Sequence, residues 1–298
     1  MKILIIILII LILIVVLYLL AIAPRLFGGP SKEIFLKQRL IAHRGLHDNK
    51  TEAPENSMAA FKKAVDAGYG IEMDVQLTKD GIPVVFHDFT LARVARYEKG
   101  QEPENAVKNP DGSLGVFGKV IDYTFEELSR FHLLDSDEKV PLFSDFLKLV
   151  SGRVPLIIEL KIEGYGVSVC DAVDRLLSDY KGVYCIESFN PLGLRWYRKN
   201  RKNVFRGQLS EEFFRMPEKH LHKPLYFALS FLLGNFLTRP DFIAYNHAHA
   251  KNLSRSLCHS LFKKTAVAWT IRSQEELDRN KKFFDIYIFE GFIPSEEI

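Results

Sequence analysis

Cysteine is scarce in this chain of 298 residues. Cys170, Cys185 and Cys258 are scattered, odd in number and free of any C-x-x-C or C-x-x-H spacing. They suggest neither a zinc motif nor a disulfide framework, although a single bridge stays open. An excess charge of one sign is also missing: 40 Lys and Arg face 37 Asp and Glu, for a net charge of +3. With no RNP, zinc-finger or helix-turn-helix signature beside that small excess, nucleic acid is not an expected partner. Ser188 and Ser210 lack a G-x-S-x-G setting, which argues against a serine hydrolase of that kind.

Apolar residues, by contrast, are concentrated. Residues 3–23 form an uncharged run of 21, and as a helix at about 1.5 Å per residue it would be about 31 Å long, close to a bilayer's hydrocarbon thickness. This predicts an N-terminal transmembrane anchor with its linker over residues 1–30. Ala21-Ile22-Ala23 has the A-x-A form of a signal-peptide cleavage site, but the run exceeds the usual apolar core of such peptides and Pro24 follows directly, so a retained anchor is favoured. Lys2 precedes the span, whereas Arg25, Lys32, Lys37 and Arg39 follow it, opposed only by Glu33. That bias favours a cytoplasmic main domain, with a folded external domain as the alternative.

Beyond the anchor, short apolar runs at 40–42, 69–77, 83–86, 155–160, 183–186, 204–209, 241–245, 266–271 and 285–289 read as strands. Between most of them lie helical patterns, such as 57–67, where Met58, Phe61, Ala64 and Val65 recur at helical spacing. Alternation of this kind implies a parallel sheet covered by helices. Only residues 78–82 separate the second run from the third, too few for a parallel crossover, so these two must form an antiparallel hairpin turning at Asp80-Gly81. Eight strands remain. The expected fold is therefore α/β: a (β/α)8 TIM-type barrel over residues 31–298, with a hairpin after the second strand and a polar inserted loop at 95–117. The uncharged stretch 224–237 is too short to span a bilayer and reads as a buried helix or as one dipping into the interface.

Chemistry gathers at the strand ends. Ala42-His43-Arg44-Gly45 closes the first strand, Ala53-Pro54-Glu55-Asn56-Ser57 opens a helix, and Ile71-Glu72-Met73-Asp74-Val75 places two carboxylates on one face of the second strand. Val85-Phe86-His87-Asp88 returns from the hairpin, and Ile157-Ile158-Glu159-Leu160-Lys161 adds a carboxylate and an ammonium. Taken singly, an E-x-D pair is most often a solvated face, and Lys161 could simply pair with Glu72 or Asp74. Together, His43, Glu72, Asp74, His87, Glu159 and Lys161 fall where barrel active sites are built. Hard oxygen ligands suit Mg²⁺ or Ca²⁺. Such a cation with Arg44 and Lys161 would neutralise a phosphodiester, while one histidine takes a proton and the other gives one.

In order, H-R-G, P-E-N, E-x-D-V, T-K-D-G, P-V-V-x-H-D and I-E-L-K resemble the glycerophosphodiester phosphodiesterase family, whose barrel is of the phosphatidylinositol-phospholipase-C-like type. The resemblance implies hydrolysis of a glycerophosphodiester to an alcohol and sn-glycerol 3-phosphate, with the glycerol hydroxyl attacking first through a cyclic phosphate. It implies Glu72, Asp74 and Glu159 as ligands of one divalent cation, His43 and His87 as the acid/base pair, Arg44 and Lys161 as phosphate contacts, and Trp269 at the glycerol end of the pocket. The last strand departs from the family's T-D-x-P pattern, reading Phe289-Glu290-Gly291-Phe292-Ile293-Pro294.

The expected partners are a small-molecule glycerophosphodiester or lysophospholipid and the membrane bilayer, with the oligomeric state left open. A lysophospholipase D is the enzymatic alternative, and a non-catalytic tethered binding protein is the alternative of another class. His247-Ala248-His249 would suit a zinc amidohydrolase only on the opening strand. The basic stretch Arg195, Arg198, Lys199, Arg201, Lys202 and Arg206 reads first as a solvated helix face and second as a contact for anionic head groups.

Overall fold

The computed structural model describes residues 1–30, 37–215 and 223–295. Lys32 and Glu33, used above for the charge bias, lie outside the described residues. Helix α1 spans Lys2–Ile22. Strand β1 (Leu40–His43) leads into α2 (Met58–Asp66), then β2 (Gly70–Leu77) and β3 (Pro83–Val85). Short strands β4 (Ala95–Arg96), β5 (Val107–Lys108), β6 (Leu114–Gly115) and β7 (His132–Leu133) follow, with α3 (Phe125–Leu128) before β7 and α4 (Phe143–Val150) after it. The remaining strands are β8 (Leu156–Leu160), β9 (Tyr184–Ser188), β10 (Phe205–Ser210), β11 (Phe242–Asn246), β12 (Thr265–Ile271) and β13 (Ile286–Phe289). Between them lie α5 (Ser168–Leu177), α6 (Pro191–Asn200), α7 (Lys223–Ser230), α8 (Asn235–Thr238), α9 (Leu253–Ser260) and α10 (Gln274–Asn280).

Eight of these strands run parallel in the order β1-β13-β12-β11-β10-β9-β8-β2, and pairing of β1 with β2 closes the ring. The expected barrel is therefore present. β3 returns antiparallel on β2, with Val75 opposite Val85 and the turn at Gly81 in the left-handed region.

Alternation along the strands sorts the core. Leu40, Ala42, Ile71, Met73, Val75, Ile158 and Leu160 point outward into the layer beneath the helices, where Phe146 meets Phe61 edge-on at 4.5 Å. Their neighbours Ile41, Ile157 and Cys185 point inward and form a plug with Phe205, Phe242, Val267 and Ile288. Polar residues further along the same inward rows, Glu72, Asp74, Glu159 and Glu187, therefore sit on an apolar floor. Residues 95–117 carry β4, β5 and β6, which join β7 in a four-stranded antiparallel sheet. That insertion has its own small core around Phe86, Leu91, Val94, Val116 and Leu128. All three cysteines are buried and free.

Helix α1 is long and apolar enough to cross a membrane. Residues 2–17 are exposed on every side, but its last turn is docked on the barrel. Tyr18 Oη lies 2.6 Å from Ser254 Oγ, Asn235 Nδ2 donates to the Ile22 carbonyl at 2.9 Å, and Arg239 Nη1 donates to the Ala23 carbonyl at 2.8 Å. The stretch 224–237 splits between the two expectations: Tyr226, Ser230, Leu232 and Asn235 are buried, while Leu225, Phe227, Phe236 and Leu237 are exposed. The basic stretch is partly consumed inside the fold. Arg198 donates to the Phe236 and Leu237 carbonyls, Arg201 pairs with Asp174, and Arg206 is buried, while Arg195, Lys199 and Lys202 face solvent.

Candidate active site

The site begins where β1 ends. Arg44 and Gly45 both take positive φ, +54° and +82°, which turns the chain sharply off the strand. The Arg44 amide then donates to Glu72 Oε2 at 3.2 Å, and its guanidinium reaches Glu55 Oε1 at 2.7 Å and Asp74 Oδ2 at 3.5 Å. The P-E-N segment explains that geometry: Asn56 N donates back to the Arg44 carbonyl, and Asn56 Nδ2 donates to Asp74 Oδ2 at 2.9 Å. Ser57 caps α2 by accepting from the Ala60 amide.

Register brings the carboxylates together. His43 lies opposite Glu72, Asp74 opposite Glu159, and Glu159 opposite Glu187. Glu72, Asp74 and Glu159 are buried and offer oxygens that all lie within 4.8 Å of one another. Lys161 Nζ stands 2.9 Å from Glu159 Oε1 and 3.6 Å from Asp74 Oδ1. Asp74 Oδ1 has no hydrogen bond, nor does Glu187 Oε2.

The electrostatics follow from this crowding. Burial, then Asp74, Glu159 and Glu187, push Glu72 well above the ordinary carboxylate range. Glu187 is raised by burial and by Glu159 and Asp74. Burial also opposes charge on Asp74, but His87, Lys161, Arg44 and the Asn56 bond outweigh it and hold that carboxyl low. Four buried carboxylates thus crowd together with Arg44 and Lys161 as the cations in contact with them. The donor set is all oxygen, and its crowded acidic character fits one divalent cation.

Two histidines flank the cluster. His43 Nδ1 is hydrogen-bonded to Glu290, while its Nε2 faces Glu72 Oε2 at 3.8 Å. Burial, with Arg44 beside it, lowers this imidazole to about 4 against the pull of Glu290. His87 returns on the hairpin, where Gln76 Nε2 binds the Phe86 and Asp88 carbonyls, and its Nδ1 lies 2.5 Å from Asp88 Oδ1. Asp88 is itself held by Arg93 at 2.6 Å.

Trp269 stands edge-on to Phe189 at 5.5 Å, and Lys161 lies 5.9 Å from the Phe189 ring. The indole Nε1 of Trp269 is buried without an acceptor. A cavity of about 200 Å³ opens beside Lys161, lined by Gln76, Phe89, Ile121 and Ile162. A second, of about 360 Å³, lies far from this chemistry, between the end of α1 and Arg198, Arg206 and Arg239.

His43, Arg44, Glu72, Asp74, His87, Glu159 and Lys161 thus share one end of the barrel, with Trp269 joined to them through Phe189. His247 and His249 do not join them. His247 instead faces Glu276 at 3.8 Å on the flank of α10. Sequence reasoning missed Glu187, Glu290 and the clamp role of Glu55 and Asn56. Alternation beyond Cys185 would have pointed Glu187 inward, and Glu290 lay in the stretch that departs from the family pattern.

A family model described as the glycerophosphoryl diester phosphodiesterase family matches residues 43–283. The chain is 32% identical over 176 residues to a glycerophosphodiester phosphodiesterase of Caldanaerobacter subterraneus subsp. tengcongensis, covering 55% of this chain and 63% of that protein. A glycerophosphodiester phosphodiesterase of Bacillus altitudinis is 35% identical over 132 residues, covering 42% of this chain and 45% of that one. The matched part is less than two thirds of either relative. In fold, the chain is similar to a phosphodiesterase of Oleispira antarctica solved with the product sn-glycerol-3-phosphate, at a TM-score of 0.61 and 22% identity, covering 86% of this chain and 93% of that one.

Proposed function

The chain belongs to the glycerophosphoryl diester phosphodiesterase family, and from that membership we propose that it is an enzyme hydrolysing glycerophosphodiesters to an alcohol and sn-glycerol 3-phosphate. The observation that carries this reading is the buried oxygen cluster of Glu72, Asp74 and Glu159, flanked by two histidines and two fixed cations. The product bound in the Oleispira antarctica structure supports the product class. Glu72, Asp74 and Glu159 would hold one divalent cation, Mg²⁺ or Ca²⁺. When bound, it would supply Lewis-acid polarisation of the phosphate oxygens.

The chain's own residues do the rest. Arg44 and Lys161 bind the non-bridging phosphate oxygens as negative charge develops on them. His43 donates from Nδ1 to Glu290, so its Nε2 carries the lone pair and takes the proton of the attacking oxygen. His87, oriented by Asp88, gives a proton to the leaving alkoxide. Trp269 brings an open N–H donor to the glycerol end.

Residues 1–30 act as a retained membrane anchor with its linker, and 31–298 as the catalytic domain. Burial of Ile22, with both its carbonyl and that of Ala23 bonded to the barrel, supports retention. The basic residues that follow the span support a cytoplasmic catalytic domain.

The test is glycerol 3-phosphate release from a metal-supplemented panel of glycerophosphodiesters and lysophospholipids. His43→Ala should lower turnover by ~10²–10⁴-fold, the usual weight of a general base, and Glu72→Ala should abolish it, with native circular dichroism in both. Full turnover in either variant removes the assignment. A panel without any chelator-sensitive turnover would favour the binding-protein alternative.

A further inference from the structure

The direction in which α1 leaves the barrel fixes which face of the barrel meets a membrane. In a barrel of this kind each outer helix runs antiparallel to the strands, so a helix that follows a strand starts at the strands' C-terminal end. Helix α9 follows β11, which places Ser254 near that end and Cys258 further down. Tyr18 bonds Ser254, and four residues later the Ile22 carbonyl accepts from Cys258 Sγ. The chain then continues to Arg25, whose amide donates to the Pro240 carbonyl and whose side chain pairs with Asp241 at 3.1 Å. Asp241 immediately precedes β11, at the strands' N-terminal end. Residues 18–25 therefore descend the barrel wall. Traced backwards, residues 2–17 project past the C-terminal end by ~24 Å at helical rise, on the side where the carboxylates and histidines lie.

That end also carries an apolar path to solvent. From Lys161 it runs through Phe189, which meets Phe213 at 5.9 Å, and Phe213 stacks on Tyr226 of α7 at 6.2 Å. Helix α7 and the turn before it then expose Leu225, Phe227 and Phe214 at 45–52%. Leu253, beside the anchor contact, Phe117 of the insertion and Ile121 just after it are at least half exposed around the same mouth. Aromatic and aliphatic side chains presented together beside a membrane-spanning helix match a bilayer interface.

We propose that the catalytic face of the barrel lies against the lipid bilayer, with α7, Leu253 and the insertion touching the interface, so that substrate enters from the membrane plane as a lipid-borne phosphodiester. This deepens the function proposed above and rests on it for the position of the active site. The test reads depth rather than turnover, so the two fail separately.

The full chain would be reconstituted in phosphatidylcholine–phosphatidylglycerol vesicles with single nitroxide labels at Phe117→Cys, Phe227→Cys, Val183→Cys or Leu261→Cys. The native cysteines are buried, and a native circular dichroism spectrum would confirm each preparation folded. Val183 precedes β9 and Leu261 ends α9, so both mark the opposite end. Power saturation should show high oxygen and low nickel-chelate access at 117 and 227, with the reverse at 183 and 261. Aqueous behaviour at all four positions, or bilayer contact at 183 and 261, overturns the proposal.

Discussion

Glu55 is the residue on which the two halves of the site depend. Its carboxylate accepts from Arg44 at 2.7 Å, from both terminal nitrogens of Arg93 at 2.6–2.7 Å and from Asn49 at 2.9 Å, while Arg93 also holds Asp88 behind His87. Burial opposes its charge, but the Arg93 bonds and Arg44 lower it to about 2. A carboxyl near 2 in the folded chain and near 4.5 in the unfolded one favours folding at all pH above 4.5, and that favour is lost as pH falls through 2. The shift corresponds to at most ~3 kcal/mol, and Arg93 is half-exposed, so screening reduces it to ~1–2 kcal/mol. Glu55→Gln should therefore lose ~1–2 kcal/mol at pH 7 and flatten the acid limb. Urea unfolding at pH 7 and near pH 3 checks this, and a constant gap between the two proteins at both pH values would refute it. In the sequence, P-E-N was visible as a motif, but its work was not. What it clamps is set by a left-handed backbone at Arg44 and by Asp74 and Arg93, 18 and 38 residues away.

At the scale of the element, the tight turn from β1 towards α2 positions Arg44. Gly45 adopts φ +82°, and a Cβ there would lie 2.8 Å from the Ala60 carbonyl carbon and 3.0 Å from the Ala60 Cβ. Gly100 has the same φ with open space around it. Gly100→Ala should cost only the left-handed strain of ~1–2 kcal/mol, whereas Gly45→Ala adds a clash with backbone and should cost ~3 kcal/mol or more. Thermal melts of the two variants separate the contributions, and equal shifts would show that the β1–α2 contact yields easily. In this turn the glycine requirement was not readable from composition, because it comes from Ala60 of a helix, fifteen residues on. Strands were readable where burial imposes alternation or an apolar run, as in β2 and β8. The hairpin was readable from chain length alone. The strands of the insertion were not, because two-residue strands carry no period, and their core draws on Phe86 and Leu128 from either side.

For the whole molecule, the junction of α1 with the barrel is where the proposed retention of the N-terminal helix is tested. A signal peptide is released from an extended, accessible segment after a small-x-small site. Here Ala21-Ile22-Ala23 is folded against α8 and α9, with Ile22 fully buried. Cleavage after Ala23 would strip the Asn235 amide of its carbonyl acceptor and leave it only the Cys258 sulfur at 3.8 Å, at a cost of ~1 kcal/mol. Arg239 would lose the Ala23 carbonyl as well. The protein should therefore be recovered from carbonate-washed membranes as a chain that retains residues 1–23. Asn235→Ala with Arg239→Ala should loosen the junction, lowering the melting temperature and opening residues 21–25 to limited proteolysis before the barrel. A soluble, fully active form beginning at Pro24 would sink the retained-anchor reading. It would show that the barrel tolerates the exposed Asn235 site and that the helix serves only for export.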